Sequence, residues 1–197
     1  RRISPQTRIL VNCVIIKENM DHLQQLVEEV AQAGAHALTL QHETFITEKE
    51  VNAHEHVWNS LFDDETPSPL SVPIQKTGRC NAKAIEKAVN TAQSYGTSVG
   101  LPVFVKPDLC EDALPSWYEG DFHPKGRCSY LYTDARINPY GDVVACQSLP
   151  LILGNIRQQS LPTIFNNEQS VRFRRALRSC GGNIPGCSRC CKLYRTF

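Results

Sequence analysis

Residues 128–146 have the sequence CSYLYTDARINPYGDVVAC, with a cysteine at each end. β-Branched and aromatic side chains are frequent in residues 128–137 and 143–146, as is typical of strands. The intervening residues 138–142, Asn-Pro-Tyr-Gly-Asp, have the composition of a tight turn. The pattern predicts a β-hairpin that brings the two cysteines of this stretch towards the same end.

The last cysteines of the chain form a dense group within residues 180–191. Cys187 and Cys190 have the Cys-x-x-Cys spacing, which lets two thiolates reach one metal centre from a single loop. A distant second pair completes a tetrahedral zinc site or an iron–sulfur cluster. Together with Cys128 and Cys146 these residues therefore predict a four-thiolate metal site. The spacing of the thiols alone leaves zinc and iron–sulfur open.

The composition of the 197-residue chain limits the functions to consider. A hydrophobic content of 41% and a charged content of 21% are typical of a folded globular protein. The formal net charge of +1 gives no electrostatic reason to expect nucleic acid or a membrane as a partner. No apolar run has the length of a membrane span, and no signal peptide is visible. The odd number of nine cysteines argues against a disulfide framework. The cysteines clustered within residues 128–191 are therefore expected to be metal ligands in the cytoplasm, whereas Cys13 is expected to lie in the core and Cys80 and Cys110 to be free thiols.

Residues 8–40 predict a strand–helix–strand unit. Residues 8–16 (RILVNCVII) are apolar and β-branched, as in a strand buried on both faces, and residues 37–40 form a second short strand. Between them, apolar residues from Leu23 to Ala31 recur at helical spacing, and Gly34 ends the helix. A unit of this kind is a parallel crossover, so we expect it to belong to a larger parallel sheet.

A domain boundary is predicted after residue 120, dividing residues 1–120 from residues 121–197. Thr47 and Glu50 fit a capping box at the start of a helix. The other predicted elements are helices over 47–61, 81–95, 161–166 and 168–179, a strand over 99–105, a loop over 63–73, a linker over 108–120 and a turn at 154–155.

Several spaced motifs of the C-terminal part coincide with one known family. Cys128, Gly141 and Cys146 fit the pattern Cys-x(9–15)-Gly-x4-Cys, and Gly-Asn-Ile follows at residues 154–156. The Cys-x-x-Cys-Cys sequence at residues 187–191 comes in the expected order after them. In these features residues 122–193 resemble the SPASM and twitch domains, which are C-terminal extensions of radical SAM enzymes.

The resemblance implies an auxiliary [4Fe-4S] cluster. The longer SPASM domain carries seven cysteines and two clusters, whereas this chain ends with fewer, which favours the twitch-like arrangement with one cluster. The ligands implied are Cys128, Cys146, Cys187 and Cys190. Cys180 and Cys191 are left over as rival ligands, and Cys191 is the nearest rival to Cys190.

The front half resembles the same enzymes in a less specific way. Residues 9–16 are similar to the fifth strand of their partial (β/α)6 barrel, and residues 37–41 to the sixth. The implied fold is α/β, with the C-terminal part of a partial TIM-like barrel followed by a small β-hairpin-plus-helix domain. Barrel strands present functional groups at their C-terminal ends. Gln41, His42 and Glu43 have that position, so we expect contacts to S-adenosylmethionine or substrate, with solvent-facing groups as the alternative.

The radical SAM signature, Cys-x3-Cys-x2-Cys, does not occur in the sequence. The resemblance therefore implies that S-adenosylmethionine and a second [4Fe-4S] cluster belong to a preceding part of the protein, and that this fragment alone is inactive. The parent enzyme would use a 5′-deoxyadenosyl radical on a small-molecule or peptide substrate, with a redox donor such as flavodoxin or ferredoxin. The auxiliary cluster would transfer electrons or position the substrate. The alternative is a non-catalytic binding module stabilised by zinc or a cluster.

Overall fold

A computed structural model describes residues 6–62, 67–109, 112–120, 122–124 and 126–194, and the fold is mixed α/β. The chain forms two compact units. The first comprises the described residues of segments 1–43 and 77–122, and the second those of segments 44–76 and 123–197. The domain boundary after residue 120 stays a prediction, although segment 44–76 packs with the C-terminal residues. Residues 63–66 of the predicted loop lie outside the described residues.

The first unit is built on a parallel sheet of three strands. These are β1 (Leu10–Val14), β2 (Ala37–Gln41) and β3 (Val103–Lys106), in the order β1-β2-β3. Leu10 pairs with Ala37, and Leu38 pairs with Val103. Helix α1 (Leu23–Gln32) connects β1 with β2, which confirms the predicted strand–helix–strand unit.

The prediction that the first strand is buried on both faces is wrong. Leu10 is 61% exposed and Val14 is 45% exposed, and exposure alternates along β1. In contrast Leu38 and Leu40, on the other face of the sheet, are fully buried. The difference arises because α1 packs against α3 (Ala82–Ser98), which in turn packs against β3. Among the described residues, the helices therefore cover one face of this sheet.

Asn81 caps the start of helix α3, because its side chain accepts a hydrogen bond from the amide of Ala84. It continues beyond residue 95 to Ser98, so β3 begins later than the predicted strand over residues 99–105. No helix in the described part of the chain is both long and apolar enough to cross a membrane.

The prediction of a linker over residues 108–120 is wrong for most of its length. Residues Ala113–Glu119 form helix α4, which packs against α3. Leu114, Trp117 and Tyr118 are buried at the spacing of one helical face. Burial of two large aromatic rings in this short segment explains why it forms a helix instead of an irregular linker.

The second unit has an aromatic core next to helix α2 (Glu48–Leu61). The predicted capping box is confirmed, because the Thr47 and Glu50 side chains each accept a hydrogen bond from the other's backbone. Trp58 is fully buried, with its ring centroid 4.3 Å from that of Phe62 and 6.2 Å from that of Phe173. This packing ties α2 to the C-terminal residues.

An antiparallel sheet follows, made of β4 (Arg136–Ile137), β5 (Asp142–Val144) and β6 (Ile152–Asn155). The hairpin turn at residues 138–142 is confirmed, and Gly141 there has a φ of +91°, which favours glycine. The prediction of a strand over residues 128–137 is wrong for most of its length, because only Arg136–Ile137 form a strand.

Residues Tyr130–Thr133 form the short helix α5 instead, because Tyr130 and Leu131 are both buried. The predicted turn at residues 154–155 is also wrong, since both residues lie in β6. The two last predicted helices are confirmed as α6 (Leu161–Phe165) and α7 (Glu168–Ser179).

Candidate metal centre

The four predicted ligand cysteines lie in one part of the second unit. Cys187 belongs to its hydrophobic core and is 8% exposed. Cys128, Cys146 and Cys190 are partly buried and pack against the same core. Three separate segments of the chain thus contribute thiols to one region.

Cys128 is held by the tail of the chain rather than by a strand of the hairpin. Its amide donates a hydrogen bond to the carbonyl oxygen of Gly182 over 2.9 Å. Nearby, Asn183 Nδ2 donates to the carbonyl oxygen of Gly126 over 2.9 Å. The segment before α5 is therefore tied to the segment that leads into the Cys-x-x-Cys loop.

Cys146 lies in a tight turn after β5. Its amide donates to the carbonyl oxygen of Leu149 over 3.2 Å. In return the Leu149 amide donates to the sulfur of Cys146 over 3.3 Å. An N–H group directed at a ligand sulfur stabilises negative charge there and is one of the means by which proteins tune iron–sulfur potentials.

Cys187 and Cys190 lie on either side of one turn, and the amide of Cys190 donates to the carbonyl oxygen of Cys187 over 3.1 Å. Burial raises the pKa of Cys187, and the neighbouring Cys146, Cys190 and Cys128 raise it further. Burial likewise raises the pKa of Cys190 to about 12. Because several thiolates crowded together in a dry site repel one another, their ionised form requires a cation.

The chemistry of this donor set fits a thiolate-bound metal. Four cysteine sulfurs are the ligands of structural zinc and of iron–sulfur clusters. Within the described ranges, no group of three or more His, Cys, Asp and Glu side chains is arranged to hold a metal ion. The three other predicted ligands nevertheless lie near enough to Cys187 to raise the pKa of its thiol.

The two rival ligands are also half-buried. Cys180 caps the C-terminal end of α7 and packs against the core, while Cys191 begins a single 3₁₀ turn over Cys191–Tyr194. Cys191 lies near enough to Cys190 to raise the pKa of its thiol. The choice between these residues and the four predicted ligands stays a prediction.

Gln41, His42 and Glu43 lie at the C-terminal end of β2, as predicted. Gln41 is half-buried, whereas His42 and Glu43 are buried. His42 Nδ1 lies 2.9 Å from the hydroxyl of Tyr118, and Glu43 Oε1 forms an ion pair with Arg79 Nη2 over 2.9 Å. These groups are therefore held by partners within the first unit.

His42 also lines a cavity of about 370 Å³ in the first unit. Helix α3 contributes Glu86 and Asn90 to its wall, and β3 contributes Phe104 and Lys106. Burial lowers the pKa of His42 to about 4, so its imidazole is neutral at pH 7. A neutral ring beside a cavity can accept or donate a hydrogen bond to a small ligand.

The low pKa of His42 predicts acid sensitivity of the first unit. The unfolded chain binds a proton at this residue near pH 6.5, whereas the folded chain binds it only near pH 4. Stability is therefore fully present above pH 6.5 and falls by about 2 kcal/mol at pH 5 and about 3 kcal/mol at pH 4. Urea unfolding at pH 7 and pH 5 measures this change. His42→Gln should lose about 2 kcal/mol less than the wild type over this range, and an equal loss in both proteins would contradict the assignment.

Sequence reasoning missed Arg189, which lies within the Cys-x-x-Cys loop, and two residues of α2, Glu50 and His54, which contact Arg189 and Gly186. Glu50 was recognised only as part of a capping box. It also pairs with Arg189, which is 139 positions further along the chain. The one signal in the sequence was the arginine between the two predicted ligands Cys187 and Cys190, because a buried arginine at that position requires a counter-charge.

A family described as the SPASM iron-sulfur cluster-binding domain matches residues 128–191. The match includes all four predicted ligands and both rivals, and it lies within the segment identified by its motifs. No curated protein matches the chain. Residues 128–191 are therefore similar to the SPASM domain found in radical SAM enzymes, and this similarity suggests an auxiliary iron–sulfur cluster-binding role.

Proposed function

We propose that the chain holds an auxiliary [4Fe-4S] cluster on Cys128, Cys146, Cys187 and Cys190 and transfers electrons within a radical SAM enzyme. The observation that carries the proposal is the iron–sulfur domain match, which coincides with four thiols that pack against one core. Cys146, Cys190 and Cys128 all raise the pKa of the Cys187 thiol, which supports the same ligand set.

The cluster, when bound, supplies one-electron transfer. The residues of this chain provide its surroundings. The core next to Cys187 excludes water, and the Leu149 amide directs its N–H at the Cys146 sulfur. Four cysteine ligands leave no iron open to substrate, which favours electron transfer or support of the structure over direct substrate binding.

The architecture of the first unit supports the proposal that it belongs to a larger catalytic barrel. A parallel three-stranded sheet with helices on one face is compatible with a segment of a (β/α) barrel, in which the helices surround the strands. The exposed side chains of Leu10, Val14 and Phe104 lie on the opposite face and favour coverage by further protein. We therefore propose that this unit is the C-terminal part of a partial (β/α)6 barrel.

In that barrel, S-adenosylmethionine and a second [4Fe-4S] cluster would be bound with the help of a preceding segment. Gln41, His42 and Glu43 are candidates for contacts to S-adenosylmethionine or substrate, supported by the cavity beside His42. The redox donor would be a flavodoxin or ferredoxin in the cytoplasm, and the substrate a small molecule or peptide. The oxidation or maturation reaction would need the whole enzyme.

Two measurements on the anaerobically reconstituted chain test this function. Reduction with dithionite or reduced flavodoxin should produce a reversible one-electron paramagnetic signal, detected by electron paramagnetic resonance. With S-adenosylmethionine added, the same sample should form no 5′-deoxyadenosine, because the sequence lacks Cys-x3-Cys-x2-Cys. A cluster that cannot be reduced would contradict electron transfer, and formation of 5′-deoxyadenosine would contradict the inactive fragment.

Zinc in place of the cluster would favour the alternative function. Four thiols suit structural zinc as well as iron–sulfur. The chain would then be a binding module in which the metal stabilises the fold without redox chemistry. Metal analysis separates a zinc-stabilised module from the electron-transfer function, because only the cluster contains acid-labile sulfide. A module stabilised by a cluster would instead hold a cluster that cannot be reduced.

A further inference from the structure

A buried cation lies inside the Cys-x-x-Cys loop. The side chain of Arg189 is 0% exposed, and its Nη1 lies 2.8 Å from each carboxylate oxygen of Glu50. Its guanidinium carbon lies 4.2 Å from the centroid of the Phe45 ring. A guanidinium group that is buried away from water requires a counter-charge, and Glu50 provides one at the first turn of α2.

The carboxylate of Glu50 is itself fixed by the start of α2. Its Oε2 accepts hydrogen bonds from the amide of Thr47 over 2.7 Å and from the Thr47 hydroxyl over 2.8 Å. The same oxygen accepts from Arg189. One carboxylate thus completes the capping box and holds the arginine, so Arg189 is attached to a rigid helix terminus.

A second connection lies one helical turn further along α2. His54 Nδ1 accepts a hydrogen bond from the amide of Gly186 over 3.3 Å, and His54 Nε2 then donates to Ser68 Oγ over 2.8 Å. A Cβ at position 186 would lie 2.9 Å from His54 Nδ1, so this close approach requires glycine. Glu50 and His54 are four residues apart and share one helix face.

The two connections lie on either side of Cys187, at Gly186 and Arg189. We propose that α2 is part of the cluster site and that Arg189, held by Glu50, is a positioning residue for the Cys187–Cys190 loop. This inference rests on the proposed function, because it concerns how the loop holds the cluster. The Glu50–Arg189 pair keeps the two thiolates at a fixed separation, and because it is neutral overall it adds no net charge beside them.

The two members of the pair have separable effects. Glu50→Gln leaves the guanidinium charge unbalanced next to the loop, and an added positive charge favours the reduced cluster. The reduction potential should therefore shift in the positive direction. Arg189→Lys keeps the charge but not the planar group that spans the carboxylate and the Phe45 ring. It should loosen the loop with little shift of the potential.

The test uses the reconstituted 197-residue chain and three variants. Arg189→Lys and Glu50→Gln are compared with Arg174→Lys as the matched control. Arg174 also lies over an aromatic ring, that of Phe165 at 4.8 Å, and donates to the Phe165 carbonyl oxygen over 2.6 Å, but it belongs to α7. The readouts are the rate of iron release to a chelator and the reduction potential followed by electron paramagnetic resonance.

We expect iron release about 10- to 100-fold faster in Arg189→Lys and Glu50→Gln than in wild type. The potential should shift positively in Glu50→Gln alone, and Arg174→Lys should match wild type in both measurements. If Glu50→Gln lowers the unfolding temperature but does not move the reduction potential, the pair only supports the fold, and the inference is overturned. If both variants match Arg174→Lys in iron release and in reduction potential, the inference is overturned, whereas the proposed function is not affected. A wild-type chain that takes up no iron and sulfide would overturn it together with the proposed function.

Discussion

Simultaneous replacement of Cys187 and Cys190 with alanine should abolish assembly of the iron–sulfur cluster. Two of the four proposed ligands are then lost from one loop, and we expect that a cubane cluster does not persist on the remaining pair. Iron and acid-labile sulfide, measured after anaerobic reconstitution, should fall from about four per chain to below one. Because Cys187 is part of the core, the double serine variant provides a second test that keeps the volume of the side chains.

The control removes the same number of thiols from the first unit. Cys13→Ala/Cys80→Ala should retain the full iron and sulfide content, since neither residue lies in the iron–sulfur domain at residues 128–191. Single alanine variants of Cys180 and Cys191 then separate the rivals from the ligands. Full cluster content after loss of both Cys187 and Cys190, in the alanine and serine variants alike, would show that other cysteines hold the cluster.

Trp58→Ala should destabilise the second unit by about 3–5 kcal/mol. The indole is fully buried between Phe62, Phe173 and His54, so its removal leaves a cavity lined by aromatic rings. Such a loss is a large share of the stability of a typical domain. Amide hydrogen exchange in the core of α7 should become more than about 100-fold faster.

Tyr140→Ala provides the matched control for this prediction. Tyr140 is an aromatic residue of the same unit, but its side chain is mostly exposed at the hairpin turn. Its removal should leave exchange in α7 within about threefold of wild type, as expected for a surface substitution. Equal exchange rates in the two variants would contradict the role of Trp58 as the centre of the core.

Local patterns allowed much of the fold and the outline of the site to be predicted. The capping box at Thr47, the turn ending at Asp142 and the apolar stripe of α1 depend on neighbours within one or two turns. The Cys187–Cys190 spacing is local in the same sense. These features therefore follow from residue type and spacing alone.

Other features depend on contacts between distant residues and could not be predicted in this way. The residues of α5 have the composition of a strand, but burial of Tyr130 and Leu131 favours a helical turn there. Exposure along β1 depends on which face the helices cover. The pairing of Glu50 with Arg189 joins segments 139 positions apart, and its partners are defined only by tertiary packing.

Iron, zinc and acid-labile sulfide analysis of the wild-type chain, combined with Mössbauer spectroscopy after anaerobic purification, tests the central claim most directly. We predict about four irons and four sulfides per chain, no stoichiometric zinc, and spectra of a single [4Fe-4S] cluster. One equivalent of zinc without sulfide would contradict the auxiliary cluster and favour a zinc-stabilised binding module.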